Sequence, residues 1–111
     1  MEIAFSSKRL QQQRATEAQR KRHFPHCASQ LNRRLGQMNA ADNLAVMATL
    51  PGHCHELSGD LQGRLAMDVS GNSRLVFRPD HDEPPTKRDG GLDWTRVTRI
   101  MILEVLDYHG H

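Results

Sequence analysis

The stretch Leu65-Ala66-Met67-Asp68-Val69-Ser70-Gly71-Asn72-Ser73-Arg74-Leu75-Val76-Phe77 decides the fold. Leu65, Met67 and Val69 recur with a period of two, which places them on one side of a β-strand. Ser70-Gly71-Asn72-Ser73 is turn chemistry. Leu75 and Phe77 then resume the alternation, with Arg74, Val76 and Arg78 on the other side. The stretch predicts a hairpin of Leu65–Val69 with Leu75–Phe77 whose one apolar face needs a cover.

The cover lies upstream. Ala28, Leu31, Leu35 and Met38 recur at three- and four-residue steps, an amphipathic helix with Arg33 and Arg34 directed outward. His23-Phe24-Pro25 separates it from Lys8–Arg22, a Gly- and Pro-free run with Leu10, Ala15 and Ala18 as a thin inner stripe. The two helices predict an antiparallel helical hairpin. Before them, Ile3 and Phe5 alternate in a short strand over Glu2–Ser6, with Ser6 and Ser7 as N-cap candidates. Asp42 is placed to cap a short turn through Leu44 and Met47, which Pro51-Gly52 stops.

Downstream, Pro79–Asp93 holds three prolines beyond its many charges and reads as a long, mobile loop. Arg96–Tyr108 reads as the last strand. Its centre, Ile100–Leu103, is apolar at every position, so both faces are expected to be covered. The whole predicts one α+β domain: two helices packed on a small, mainly antiparallel sheet.

Bulk properties narrow the class. The chain has 111 residues and a formal charge of +2 with neutral histidines. A domain of that size buries roughly two-thirds of its unfolded surface. Positive charge concentrates between Lys8 and Arg34, where Glu17 is the lone acid. Such a surface suits a polyanionic partner. Cys27 and Cys54 are too few for a disulfide framework. The first residues turn polar too soon for a signal peptide, and Ile100–Leu106 is too short to span a bilayer. These features predict a cytoplasmic protein without membrane attachment. His53-Cys54-His55 with Cys27 or His26 matches no standard zinc spacing, so no metal and no cofactor are expected.

Reactive side chains gather in three strings. The apolar last strand ends in Asp107-Tyr108-His109. The others are His55-Glu56-Leu57-Ser58-Gly59-Asp60-Leu61-Gln62-Gly63 and Arg74-Leu75-Val76-Phe77-Arg78-Pro79. Taken singly, each is ordinary, since one of seven histidines near a strand end is usually a surface residue. Their order and spacing, with Ile3-Ala4-Phe5-Ser6-Ser7-Lys8-Arg9-Leu10, Leu31-Asn32-Arg33-Arg34-Leu35 and Glu104-Val105-Leu106, resemble the RelE/ParE superfamily of bacterial toxins, in its HigB branch.

The resemblance implies a toxin of a type II toxin–antitoxin system that cuts messenger RNA in the ribosome. It implies a HigA-like helix-turn-helix antitoxin as partner, in a toxin–antitoxin hetero-oligomer. It carries catalytic roles onto His55, Arg74, Asp107, Tyr108 and His109, and RNA contacts onto Ser58, Arg64 and Arg78. The branch often has lysine where this chain has Ser58.

The implied chemistry is coherent. RNA brings its own nucleophile, the 2′-OH, so the protein must move two protons and stabilise charge on phosphorus. Histidine suits the proton steps and arginine the phosphate. His55 and His109 would be the acid and base, in either order; Asp107 would orient a histidine or act in proton transfer, and Tyr108 would stack on a base or donate to the phosphate. In a regular strand Asp107 and His109 share one face and Tyr108 points away. Two other activities fit the same resemblance: a ParE-like gyrase inhibitor, and a catalytically weak module that binds its antitoxin.

Overall fold

A computed structural model of the chain describes residues 1–7 and 27–107. The expected first helix, Lys8–Arg22, lies outside the described residues, as do Tyr108 and His109. The elements are β1 (Glu2–Phe5), α1 (Ala28–Ala40), α2 (Leu44–Met47), β2 (His55–Glu56), β3 (Leu65–Ser70), β4 (Ser73–Pro79) and β5 (Arg99–Asp107). Short 3-10 turns lie at Gly59–Leu61 and Trp94–Arg96. The five strands run in the order β1-β5-β4-β3-β2. β1 is parallel to β5, and the other pairs are antiparallel. The chain is thus an α+β fold with a mainly antiparallel sheet.

The helix forms where the apolar spacing calls for it. Ala28, Leu31, Leu35 and Met38 of α1 are all buried. Leu31, Leu35 and Met38 meet Leu65, Met67, Val69, Leu75, Phe77, Ile100, Ile102 and Val105 of the sheet, together with Leu44, Met47 and Val97. Arg33 is exposed as expected, but Arg34 is not directed outward. Its Nε donates to the Asp68 carbonyl at 3.0 Å and its Nη1 to Gln37 Oε1 at 3.1 Å. The long arginine stem lies along the helix while its head pairs with strand backbone.

Other local features also depart from expectation. The residue before α2 is Asn43, not Asp42, and it makes no side-chain cap. The α2 end is held instead by the Leu44 N–H donating to the Val97 carbonyl at 2.9 Å. The last strand starts at Arg99 because Asp93 caps a 3-10 turn over Trp94–Arg96, accepting from the Thr95 N–H. Only one face of its centre is fully covered: Ile100 and Ile102 are buried, whereas Met101 and Leu103 are half-buried.

Two bulges set which side chains face out. In β5 the register slips between Val76↔Glu104 and Phe77↔Ile102, leaving Leu103 as the extra residue. Without it, Glu104 would share the core face of Ile100 and Ile102. With it, Val105 takes the core position and Glu104 crosses to the open face. In β3 the slip lies between Asp68 and Ser70, at Val69. There the Asp68 N–H donates to the Gly52 carbonyl at 2.6 Å, while its own carbonyl accepts from Arg34.

The loop between β4 and β5 carries structure of its own. Thr86 bridges Leu92, the Asp93 N–H donates to Pro85 at 2.8 Å, and Arg96 Nη2 donates to the Thr86 carbonyl at 3.1 Å. Leu92 and Trp94 pack against the core, and the Trp94 Nε1–H donates to Glu56 at 3.1 Å.

Candidate active site

One face of the sheet is covered by α1. The other presents three rows of side chains, read directly from the register. Asp68, Arg74 and Leu106 form the first. His55, Ala66, Val76 and Glu104 form the second. The third holds Arg78, Met101 and Ala4. Arg64 joins that end, because its carbonyl accepts the Leu57 N–H at 2.9 Å and carries the β2–β3 ladder one step further. The strand alternation therefore brings His55, Arg64, Arg74 and Arg78 to one open surface.

His55 is the best-defined chemical group on it. The backbone before it runs through two positive φ angles, 118° at Gly52 and 50° at His53. A left-handed conformation is uncommon for a non-glycine residue. Here it turns the His53 carbonyl towards the His55 ring, 2.7 Å from Nδ1. A carbonyl only accepts, so Nδ1 carries the hydrogen and donates. The neutral ring then has its lone pair on Nε2. The two imidazoles lie against each other with centroids 4.6 Å apart. A ring fixed in tautomer and orientation by a backbone carbonyl is the arrangement proton transfer needs.

The arginines differ in what occupies them. Among the described residues the side chain of Arg74, which is half-buried, makes no hydrogen bond or ion pair. Arg74 lines a polar cleft of about 290 Å³ with Asp68, Ser70, Gly71, Asn72 and Ser73. Arg78 is engaged: Nη1 donates to the Pro79 carbonyl at 3.0 Å, Nη2 lies 3.2 Å from the Met101 sulfur, and Asp80 is 3.9 Å away. Arg64 is exposed just ahead of β3. Ser58 is exposed before the Gly59–Leu61 turn and makes no side-chain cap to it, so it lies outside the strand rows.

At the end of β5, Asp107 pairs with Ser73, one residue from Arg74 in the neighbouring strand. The continuation to Tyr108 and His109 lies outside the described residues. The structure thus brings together His55 and the three arginines and places the Asp107 backbone beside them. Cys54, between the two histidines, is a poor nucleophile: burial pushes its thiol up to about 12, so it stays protonated. Among the described residues no three His, Cys, Asp or Glu side chains gather to hold a metal ion.

Sequence reasoning missed two residues of this face. Glu104, exposed, closes the row of His55, but the Leu103 bulge hides its parity. Asp68 stands directly opposite Arg74. Its outward parity was readable from Leu65, Met67 and Val69, but nothing in the strand pattern marks it as more than a solvated acid.

The fold is shared with solved structures of bacterial toxins. No protein-family model and no curated protein sequence matches the chain. Two solved structures share the fold over almost its whole length. A YoeB/ParE toxin from Agrobacterium tumefaciens aligns with a TM-score of 0.55 at 12% identity, covering 98% of this chain and 100% of its own. The YoeB dimer from Staphylococcus aureus aligns with a TM-score of 0.54 at 17% identity, covering 98% and 97%. The likeness is one of fold.

Proposed function

We propose that the chain is the toxin of a type II toxin–antitoxin system, of HigB-like kind, and that it cuts ribosome-bound messenger RNA. The observation that carries this reading is the fixed His55 tautomer on the same open face as Arg74, whose side chain has no partner among the described residues. A nuclease that uses the RNA 2′-OH needs a proton-transfer group and a cation for the phosphate, and a pure binding module needs neither in this form.

In this mechanism Arg74 holds two oxygens of the scissile phosphate. The 2′-oxygen attacks phosphorus as its proton leaves to a base, and the P–O5′ bond breaks as the leaving oxygen receives a proton. The products are a 2′,3′-cyclic phosphate and a 5′-OH end. His55 Nε2 performs one of the two proton steps, and His109 the other. Asp107 orients a histidine and Tyr108 stacks on a base or donates to the phosphate. Ser58, Arg64 and Arg78 contact the RNA strand. The reaction needs no metal or other cofactor. A HigA-like helix-turn-helix antitoxin covers the basic and apolar surfaces in a hetero-oligomer, and the protein works in the cytoplasm beside the ribosome.

A translation reaction with one defined message tests this. Adding the chain is expected to produce new 5′-OH ends at codon-spaced positions, mapped by primer extension, and none on the message without ribosomes. The name of the Agrobacterium neighbour joins YoeB to ParE, so a gyrase supercoiling assay belongs in parallel. Loss of supercoiling with an intact message would replace the nuclease reading by the gyrase one.

A further inference from the structure

The cleft beside Arg74 contains a second group that the cleavage chemistry does not use. Asp68 is exposed, faces Arg74 across the β3–β4 ladder, and lines the same cleft. Its backbone is clamped on both sides, by the Gly52 carbonyl at 2.6 Å and by Arg34 Nε at 3.0 Å. Its carboxylate, by contrast, has no hydrogen bond or ion pair among the described residues. The far wall is braced too: the Ser70 and Ser73 hydroxyls are 2.5 Å apart, and the Asn72 N–H donates to Ser70 Oγ at 3.3 Å. The cleft is therefore a fixed polar slot with one cationic fork and one anionic fork, neither of them satisfied by its neighbour.

A ligand for both forks must offer an anion and, close by, a pair of N–H donors. A nucleotide does so when its base carries two adjacent donors on one edge. Guanine does, through N1–H and the 2-amino group. Adenine and cytosine place a donor next to an acceptor, and uracil sets one donor between two acceptors. A carboxylate accepts two parallel hydrogen bonds and donates none, so it matches guanine and opposes the other three. The volume, about 290 Å³, lies at the small end of ligand pockets and suits one nucleobase.

The geometry points to Asp68 and Arg74 as a guanine subsite, with Arg74 on the phosphate and Asp68 on the Watson–Crick edge of the adjoining guanine. This rests on the proposed RNA substrate and gives it a sequence preference. A good bidentate base contact discriminates by roughly tenfold or more.

The test is calorimetric titration of the full chain with guanosine, inosine and adenosine 3′-monophosphates. Guanosine is expected to bind about tenfold more tightly than adenosine. Inosine, which lacks the 2-amino group, should fall between them. Asp68→Asn, which alters an exposed side chain and leaves the backbone clamp in place, should bring guanosine down to the adenosine level. Arg74→Ala should weaken all three. Equal affinities in the wild type, no measurable binding of any of the three, or an unchanged preference in Asp68→Asn would overturn the subsite. Guanosine selectivity in a protein that never cuts a message would support the subsite and sink the nuclease reading; cleavage without that selectivity would do the reverse.

Discussion

Replacing Gly52 by alanine is expected to destabilise the fold sharply, while the same replacement at Gly36 stabilises it. Gly52 has φ 118°, a conformation L side chains rarely adopt. A Cβ built there would stand 3.1 Å from Arg34 Nε, 3.1 Å from Met67 Cε and 3.2 Å from the Asp68 carbonyl oxygen. The methionine end can move, but the Asp68 carbonyl is backbone held by the Arg34 bond. Strained φ costs about 1–3 kcal/mol, and the forced contacts add roughly another 1 kcal/mol, giving a loss of about 2–4 kcal/mol. Gly36 lies exposed inside α1 with nothing within 4 Å of a new Cβ. Alanine there removes unfolded-state entropy and gains about 0.5–1 kcal/mol. Urea unfolding followed by circular dichroism measures both. For a domain near this size, the Gly52→Ala loss lowers Tm by roughly 10 °C or more. A Gly52→Ala protein within about 0.5 kcal/mol of wild type would refute the claim that Gly52, Arg34 and Asp68 form one rigid clamp.

Three further outcomes are expected. Cys54, held protonated by burial with its pKa near 12, should resist iodoacetamide at pH 8 in the folded chain and react in urea; mass spectrometry of the timed reaction reads this, and fast native labelling would contradict it. The Asp93 carboxyl is held below its ordinary value of 3.8, first by the Thr95 hydroxyl and further by the Thr95 N–H and Arg96. A depressed carboxylate stabilises above its unfolded pKa and loses that contribution as pH falls through its folded one, so hydrogen exchange at the Thr95 amide should accelerate below about pH 3.8, and a pH-independent protection would count against the cap. Arg74→Lys should keep part of any cleavage activity and Arg74→Ala little of it, because lysine retains the charge without the fork; equal rates in the two variants would mean that bidentate geometry is not what Arg74 supplies.

The fold was legible where one period held over several residues. The Leu65–Phe77 hairpin and the Ala28–Met38 stripe occupy the positions their spacing requires. The last strand was harder. An unbroken apolar centre conceals a one-residue bulge, and that bulge at Leu103 decides whether Glu104 or Val105 enters the core. Arg34 read as a solvated helix charge because the strand carbonyl it meets is far away in sequence. In the candidate site, Arg74 and Arg78 could be placed from alternation alone. The role of His55 could not, since its tautomer is set by a carbonyl that only the left-handed turn at His53 brings near. Asp68 became visible only with the clamp around its backbone.

His55 carries the proposed cleavage most directly. The measurement is the rate of message cleavage in one translation reaction by wild type and by His55→Ala, with thermal unfolding to show that both are folded. Loss of a positioned proton-transfer group typically costs 10²–10⁴ in rate, so a fall of at least about a hundredfold is expected, with 5′-OH ends in whatever product remains. Cleavage by His55→Ala at the wild-type rate would contradict the account.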